Sequence, residues 1–450
     1  MSATAVMPAF GAVAPNRART HTSATRAEQL WCAYFTALPL LWVTGLTLPL
    51  AFMLVLGTLL ACVRSRRAVV LAAPWFLVAA CQLAAVVFNM SRAGQPPMML
   101  LKHLLASYVS GWFLIGSAVA IGASGVVRPV PFLHAVARIG WSCMALATMV
   151  LPLAFVWHDQ TLFLLSPIGT LLPEGLPSRS FYFGMVLFTW EPLFGIPTPR
   201  LATLFPWATA LGFGGMCLAF VLLNEENRRR RRLGLLGAAV MLVGSLGRMA
   251  FLATIAAASL RWLLLRSPRT RMALMSIGLV VVCAGGLIGI ATRGSLDDAA
   301  AVVRTRLEET RPGASEAREK VYEESWAGFH ASPWLGNGWP GDPVYAVDNA
   351  DALRTLGTMV PGSHSTYLGS LYLGGIVTLT AFVFALLWTM FALLAAHRAR
   401  TYAANTVALL AGIAMVATSE SLASLALPSL FAFLWIGIAL HATRTSETLR

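Results

Sequence analysis

The chain has 450 residues, 57% of them hydrophobic and only 12% charged, against roughly 45–50% apolar in soluble domains. That excludes a string of soluble domains and leaves a polytopic membrane protein with one sizeable hydrophilic segment. The net charge of +14 would suit a nucleic-acid partner, but Arg228–Arg232 run unbroken beyond an apolar segment. That is the pattern of a cytoplasmic membrane loop, not of basic residues set among aromatics on a solvated face, so no nucleic acid is expected.

Residues 1–28 are polar and Ala/Thr-rich, carry Arg17, Arg19 and Arg26, and lack a short apolar core ending in a cleavage site. They are expected to form a disordered cytoplasmic tail. A spanning helix takes about 20 apolar residues, because lipid cannot satisfy a bare backbone. Twelve candidates follow, near 29–45, 47–63, 68–90, 98–122, 133–156, 202–223, 233–247, 249–265, 272–291, 365–393, 402–419 and 425–441. The first pair and the seventh and eighth are short or fused, so ten to twelve is the range. The expected fold is an all-α integral membrane protein of about twelve helices over residues 29–441, with a cytoplasmic tail at 442–450. All six cysteines (Cys32, Cys62, Cys81, Cys143, Cys217, Cys283) fall in apolar segments without CxxC spacing, which argues against disulfides and zinc.

With the N-terminus inside, the inner loops and tails, with the helix ends beside them, hold 21 of the 33 Lys+Arg and 4 of the 19 Asp+Glu. The bias persists in short loops such as Arg64–Arg67 and Arg266–Arg271, as the positive-inside rule requires. Two hydrophilic stretches, about 157–200 and 292–363, then face outward, and long ordered loops are usually functional. In the first, Pro197, Pro199 and Pro206 predict an irregular backbone. In the second, Leu296–Glu309 and Ser315–Ala331 read as amphipathic helices, followed by a Gly- and Pro-rich turn over 332–343.

Candidate chemistry gathers on this outer side. Arg248 interrupts an apolar run at the turn between the seventh and eighth helices, where it is either an interfacial arginine snorkelling to headgroups or a functional charge. Arg318 stands in a helix with Glu316 and Glu319 beside it, either on a solvated ion-pair face or in a site. Arg179 and Arg200 belong to the first outer stretch and carry the same ambiguity. His364 follows Ser363, a residue suited to N-capping the tenth helix. At that end of a helix dipole the imidazole would stay neutral, as a general base must. The acids of the longer loop show no metal-ligand spacing, and no Walker-type loop is present, so neither metal nor cofactor is expected. Arginines can hold a phosphorylated lipid without a metal, because the planar fork binds phosphate bidentately.

Four features, in order, resemble the O-antigen ligase family of bacterial envelope proteins. Arg248 with Leu252 resembles its Ser-Arg-x-x-x-Leu helix start, with Gly247 in place of the usual Ser. Arg318 with Tyr322 and Trp326 resembles its Arg followed by aromatics in the large loop. Ser332-Pro-Trp-Leu-Gly336-Asn-Gly338 resembles its Pro-x-x-Gly-x-Gly turn, and His364-Ser365 with Gly375 resembles its His-[Asn/Ser/Gln] motif with a glycine ten residues on.

The resemblance implies a GT-C-type glycosyltransferase at the periplasmic face of the inner membrane. Such an enzyme moves a glycan from undecaprenyl pyrophosphate to lipid A-core, without metal and with inversion. It implies His364 as catalytic base, Arg248 and Arg318 as pyrophosphate ligands with Arg200 a further candidate, and Gly336, Gly338 and Ser365 as residues that shape the site. A polymerase using the same donor and, more remotely, a lipid-linked glycan transporter are the alternatives.

Overall fold

The computed structural model describes residues 25–62, 65–94, 96–157, 161–173, 182–193, 196–266, 314–341, 360–395 and 400–448. The expected tail up to residue 24, the candidate span 272–291, the amphipathic segment Leu296–Glu309, Cys283 and Arg179 lie outside them. Among the described residues the protein is mostly helical, and it reads as a multi-pass membrane protein. Among the described residues four helices are long and apolar enough to cross a membrane, Arg66–Arg92, Pro129–Val156, Arg248–Arg266 and Thr366–Leu394. Shorter apolar stretches accompany them at Thr47–Leu60, Tyr108–Ala123, Ala208–Leu222, Thr401–Val416 and Leu430–Thr443.

Local chemistry sets several boundaries. Ser65 caps Arg66–Arg92 by accepting from the Ala68 N–H, and at 27 residues the helix is about 40 Å long. The first candidate span is two short helices, Arg26–Thr36 and Leu38–Thr44, so helix begins within the stretch expected to be a tail. Its buried Glu28 takes a bidentate grip from Arg128, 2.7 Å from Arg128 Nη2, and so fastens the first helix to the start of Pro129–Val156. The last helix, Leu430–Thr448, runs on through most of the expected C-terminal tail. The fourth candidate span contains a π-helix, Leu104–Phe113, between Pro97–His103 and Leu114–Ala123.

Large aromatics fill the centre. Trp75, Trp435, Phe132, Phe433 and Phe213 are fully buried, the Phe132 and Trp435 rings stack at 6.1 Å, and Trp75 Nε1 donates to Thr389 Oγ1 at 3.0 Å.

The expectation of an all-α chain needs correction at the first outer stretch. Leu162–Leu165, Gly184–Leu193 and Ile196–Leu201 form an antiparallel sheet, β1-β2-β3 in that order. Of the three prolines expected to give an irregular backbone, Pro197 and Pro199 sit in its edge strand, opposite Pro192 and Trp190, and Pro206 follows it. An edge strand pairs along one side only, so the missing N–H groups can face away from the ladder.

The two ends of the bundle differ in charge. At one, Arg230 contacts His134, His134 lies 3.6 Å from Glu225, and Arg261 donates to Asn405, which donates to Asn224. Arg228–Arg232 begin a helix there. Arg248 opens the helix that carries Arg261 thirteen residues later, so Arg248 lies at the other end.

Candidate active site

At that other end, hydrogen bonds join segments remote in sequence. Arg200, on β3, is buried and donates from Nε to the Ser245 carbonyl at 2.8 Å and from Nη1 to Glu191 Oε2 at 2.6 Å. The first contact ties the sheet to the turn before Arg248, where Leu246 is left-handed. Helix Ala314–Ala331 carries Arg318 and Tyr322 one turn apart. The Tyr322 hydroxyl donates to the His364 carbonyl at 3.1 Å, and Arg318 Nη2 lies 3.9 Å from Glu420 Oε1. Glu420 is buried in the turn before the last helices. Its carbonyl accepts from Thr366 Oγ1 at 2.7 Å, and Thr366 N donates to the Ala417 carbonyl at 2.7 Å.

The expected cap at His364 is corrected. Ser365 is the N-cap of Thr366–Leu394 and accepts from Leu368 N, while Ser363 donates to the Val360 carbonyl within the preceding turn. His364 therefore stands just outside the helix, in the left-handed region at φ 60°. It is still neutral, for another reason. Burial first, then the positive charge of Arg318, holds the imidazole down at about 4. No group among the described residues hydrogen-bonds its buried Nε2.

The charges act on one another. Burial, and next the neighbouring Arg318, lower Arg200 to about 10, with Glu420 opposing. Burial raises Glu420 to about 7 against the pull of Arg318 and Arg200. Arg248 is within electrostatic reach of both Arg318 and Arg200. Three guanidiniums, one neutral imidazole and one buried carboxylate thus share a small volume. Together they can bind an anion of high charge and accept a proton beside it.

The glycine-rich turn has a structural task. Helix Thr366–Leu394 is broken at Gly375, with φ 67° and ψ −170°, which frees backbone groups that must find partners. The turn supplies them: Asn337 N donates to the Tyr372 carbonyl at 2.7 Å, Gly338 N to the Leu373 carbonyl at 2.8 Å, and Ile376 N to the Pro333 carbonyl at 2.9 Å. Asn89 Nδ2 holds the turn's far side through the Gly336 carbonyl at 3.0 Å. Gly336, at φ 61°, lies so close that a Cβ there would sit 2.6 Å from Gly374 N. Gly336 and Gly338 therefore lock the turn into the kink of the helix that begins just after His364.

Arg200, Arg248, Arg318 and His364, each a candidate from sequence, come together, while Arg179 lies outside the described residues. Sequence reasoning missed Glu420 and Glu191. A signal for Glu420 existed: it is a lone carboxylate in Ala417-Thr-Ser-Glu-Ser421 between two apolar segments, the kind of residue that marks a functional site at a membrane.

The O-antigen ligase family model matches residues 233–383. A comparison with curated proteins found no match. The matched segment holds Arg248, Arg318, the Pro333–Gly338 turn, His364 and Gly375, whereas Arg200 and Glu420 lie outside it and join through the fold. Over residues 233–383, about a third of the chain, the protein is thus similar to the O-antigen ligase family, whose activity is of the glycosyltransferase-like ligase or polymerase type.

Proposed function

We propose that the protein is an O-antigen ligase of the inner membrane, transferring a glycan from undecaprenyl pyrophosphate to lipid A-core at the periplasmic face. The observation that carries this reading is the pairing of a guanidinium cluster with a neutral imidazole whose buried Nε2 has no hydrogen-bond partner among the described residues. The cluster lies at the end of the bundle opposite Arg228–Arg232, and the positive-inside rule assigns that basic end to the cytoplasm.

In this scheme Arg248 and Arg318, with Arg200 behind them, hold the pyrophosphate. The acceptor hydroxyl oxygen attacks the anomeric carbon on the face opposite the pyrophosphate, which inverts the centre. Its proton passes to His364 Nε2, the carbon–oxygen bond breaks, and the electron pair leaves with the prenyl pyrophosphate, which gains one negative charge. Fixed cations stabilise that charge most where water is excluded. The donor also primes the base, since an anion beside the imidazole raises its proton affinity from the low value that burial and Arg318 impose.

The ligase and polymerase alternatives separate in an acceptor assay. Purified protein given a lipid-linked glycan should transfer it to lipid A-core and leave a second lipid-linked glycan unextended. Extension of the lipid-linked chain with lipid A-core untouched would make it a polymerase. Arg248→Lys and Arg318→Lys should both work poorly, because an ammonium keeps the charge but not the bidentate fork. Wild-type rates in both would reduce these arginines to general electrostatics.

A further inference from the structure

Resting on the pyrophosphate reading above, we infer that Glu420 is a positioning residue of the anion site: its carboxylate holds the guanidiniums together in the free protein and takes up a proton when a pyrophosphate binds.

The geometry leads there directly. Glu420 is buried, its backbone is pinned by Thr366, and its carboxylate faces Arg318 at 3.9 Å. The charged and titratable groups around it come from each packed element. They are Arg200 on β3 with its partner Glu191, Arg248 at its helix start, Arg318 and Tyr322 on helix Ala314–Ala331, and His364 in the turn before Thr366. Without an anion, three guanidiniums repel one another, and one buried negative charge offsets part of that repulsion. A prenyl pyrophosphate carries three ionisable oxygens, enough to match three guanidiniums. Glu191 already neutralises part of Arg200, so an ionised Glu420 would then be surplus charge in a dry site. Protonation removes it.

Glu420 already titrates at about 7 in the free protein, and a phosphate beside it moves that upward. Above pH 7 the carboxylate must gain a proton for a prenyl pyrophosphate, which carries one more negative charge than its glycosylated form, to bind. Affinity should therefore weaken by up to about tenfold per pH unit there and level off below. Release of the prenyl pyrophosphate product returns the proton.

The test is calorimetry of farnesyl pyrophosphate binding to the full chain in detergent, in two buffers of different ionisation enthalpy, from about pH 6 to 9. Phosphate monoesters have their second ionisation at about pH 6, and His364→Asn removes the imidazole as a second acceptor, so uptake near pH 8 that persists in that variant enters Glu420. Wild type should take up close to one proton per site. Glu420→Gln should take up none, bind independently of pH above 7, match wild type near pH 6 and bind about tenfold tighter near pH 8. Equal weakening of Glu420→Gln at every pH, with uptake unchanged, would show that the carboxylate only braces Arg318. If that variant does not fold, the wild-type proton count decides, and no uptake near pH 8 overturns the inference. Wild type that fails to bind farnesyl pyrophosphate sinks the donor reading too, whereas binding without Glu420-dependent uptake sinks this inference alone.

Discussion

Replacing His364 should cost about 10²–10⁴-fold in turnover, the usual range for general-base assistance, while leaving donor binding nearly intact. The substitution must respect the backbone. At φ 60° alanine is strained, whereas asparagine enters the left-handed region readily, so His364→Asn removes the imidazole with least disturbance. The variant keeps the Tyr322 contact, because that bond goes to the backbone carbonyl. The pH profile separates a base from a structural residue. In the free protein the imidazole titrates at about 4, so kcat/KM should hold as pH falls below neutrality and drop only as the pH passes through that value, where the ring becomes protonated and cannot accept. His364→Asn should lack this acid limb. If instead the variant turns over bound donor normally but binds it weakly, His364 is a phosphate ligand and the base lies elsewhere.

The second large effect is at Gly375. A Cβ there would lie 2.1 Å from the Trp334 carbonyl oxygen, which belongs to the turn locked into the kink, and backbone on both sides leaves nothing flexible to yield. An alanine held at φ 67° and ψ −170°, a region used essentially by glycine alone, costs about 1–3 kcal/mol, and forcing atoms into a packed site costs about 1–3 kcal/mol more. Gly375→Ala should therefore lower thermal stability clearly, and it should abolish transfer even in protein that still inserts, because the turn and the start of helix Thr366–Leu394 can no longer dock. An Ala variant at Gly57, where a Cβ would meet nothing within 4 Å, is the matched control and should behave as wild type. Full activity in Gly375→Ala would mean that the kink does not position the site.

Hydropathy alone establishes a membrane protein, because the need to satisfy backbone groups in lipid is written in runs of consecutive residues. Charge placement along the chain likewise separates the end of Arg228–Arg232 from the end of Arg248, since one apolar helical run lies between them. The motif around Arg248, Arg318, the Pro333–Gly338 turn and His364 is equally legible in linear order.

Other features are not, because they arise from strand pairing and helix packing that bring separate segments together. Glu420 reads as an ordinary turn acid until Thr366 pins it beneath Arg318. Arg200 has undistinguished flanks until β-pairing buries it against Ser245 and Glu191. The sheet was hidden by prolines that an edge strand tolerates. The neutrality of His364 was expected for the wrong cause: a helix cap is a local device, but the cause here is burial under Arg318, and burial depends on everything that packs above a residue.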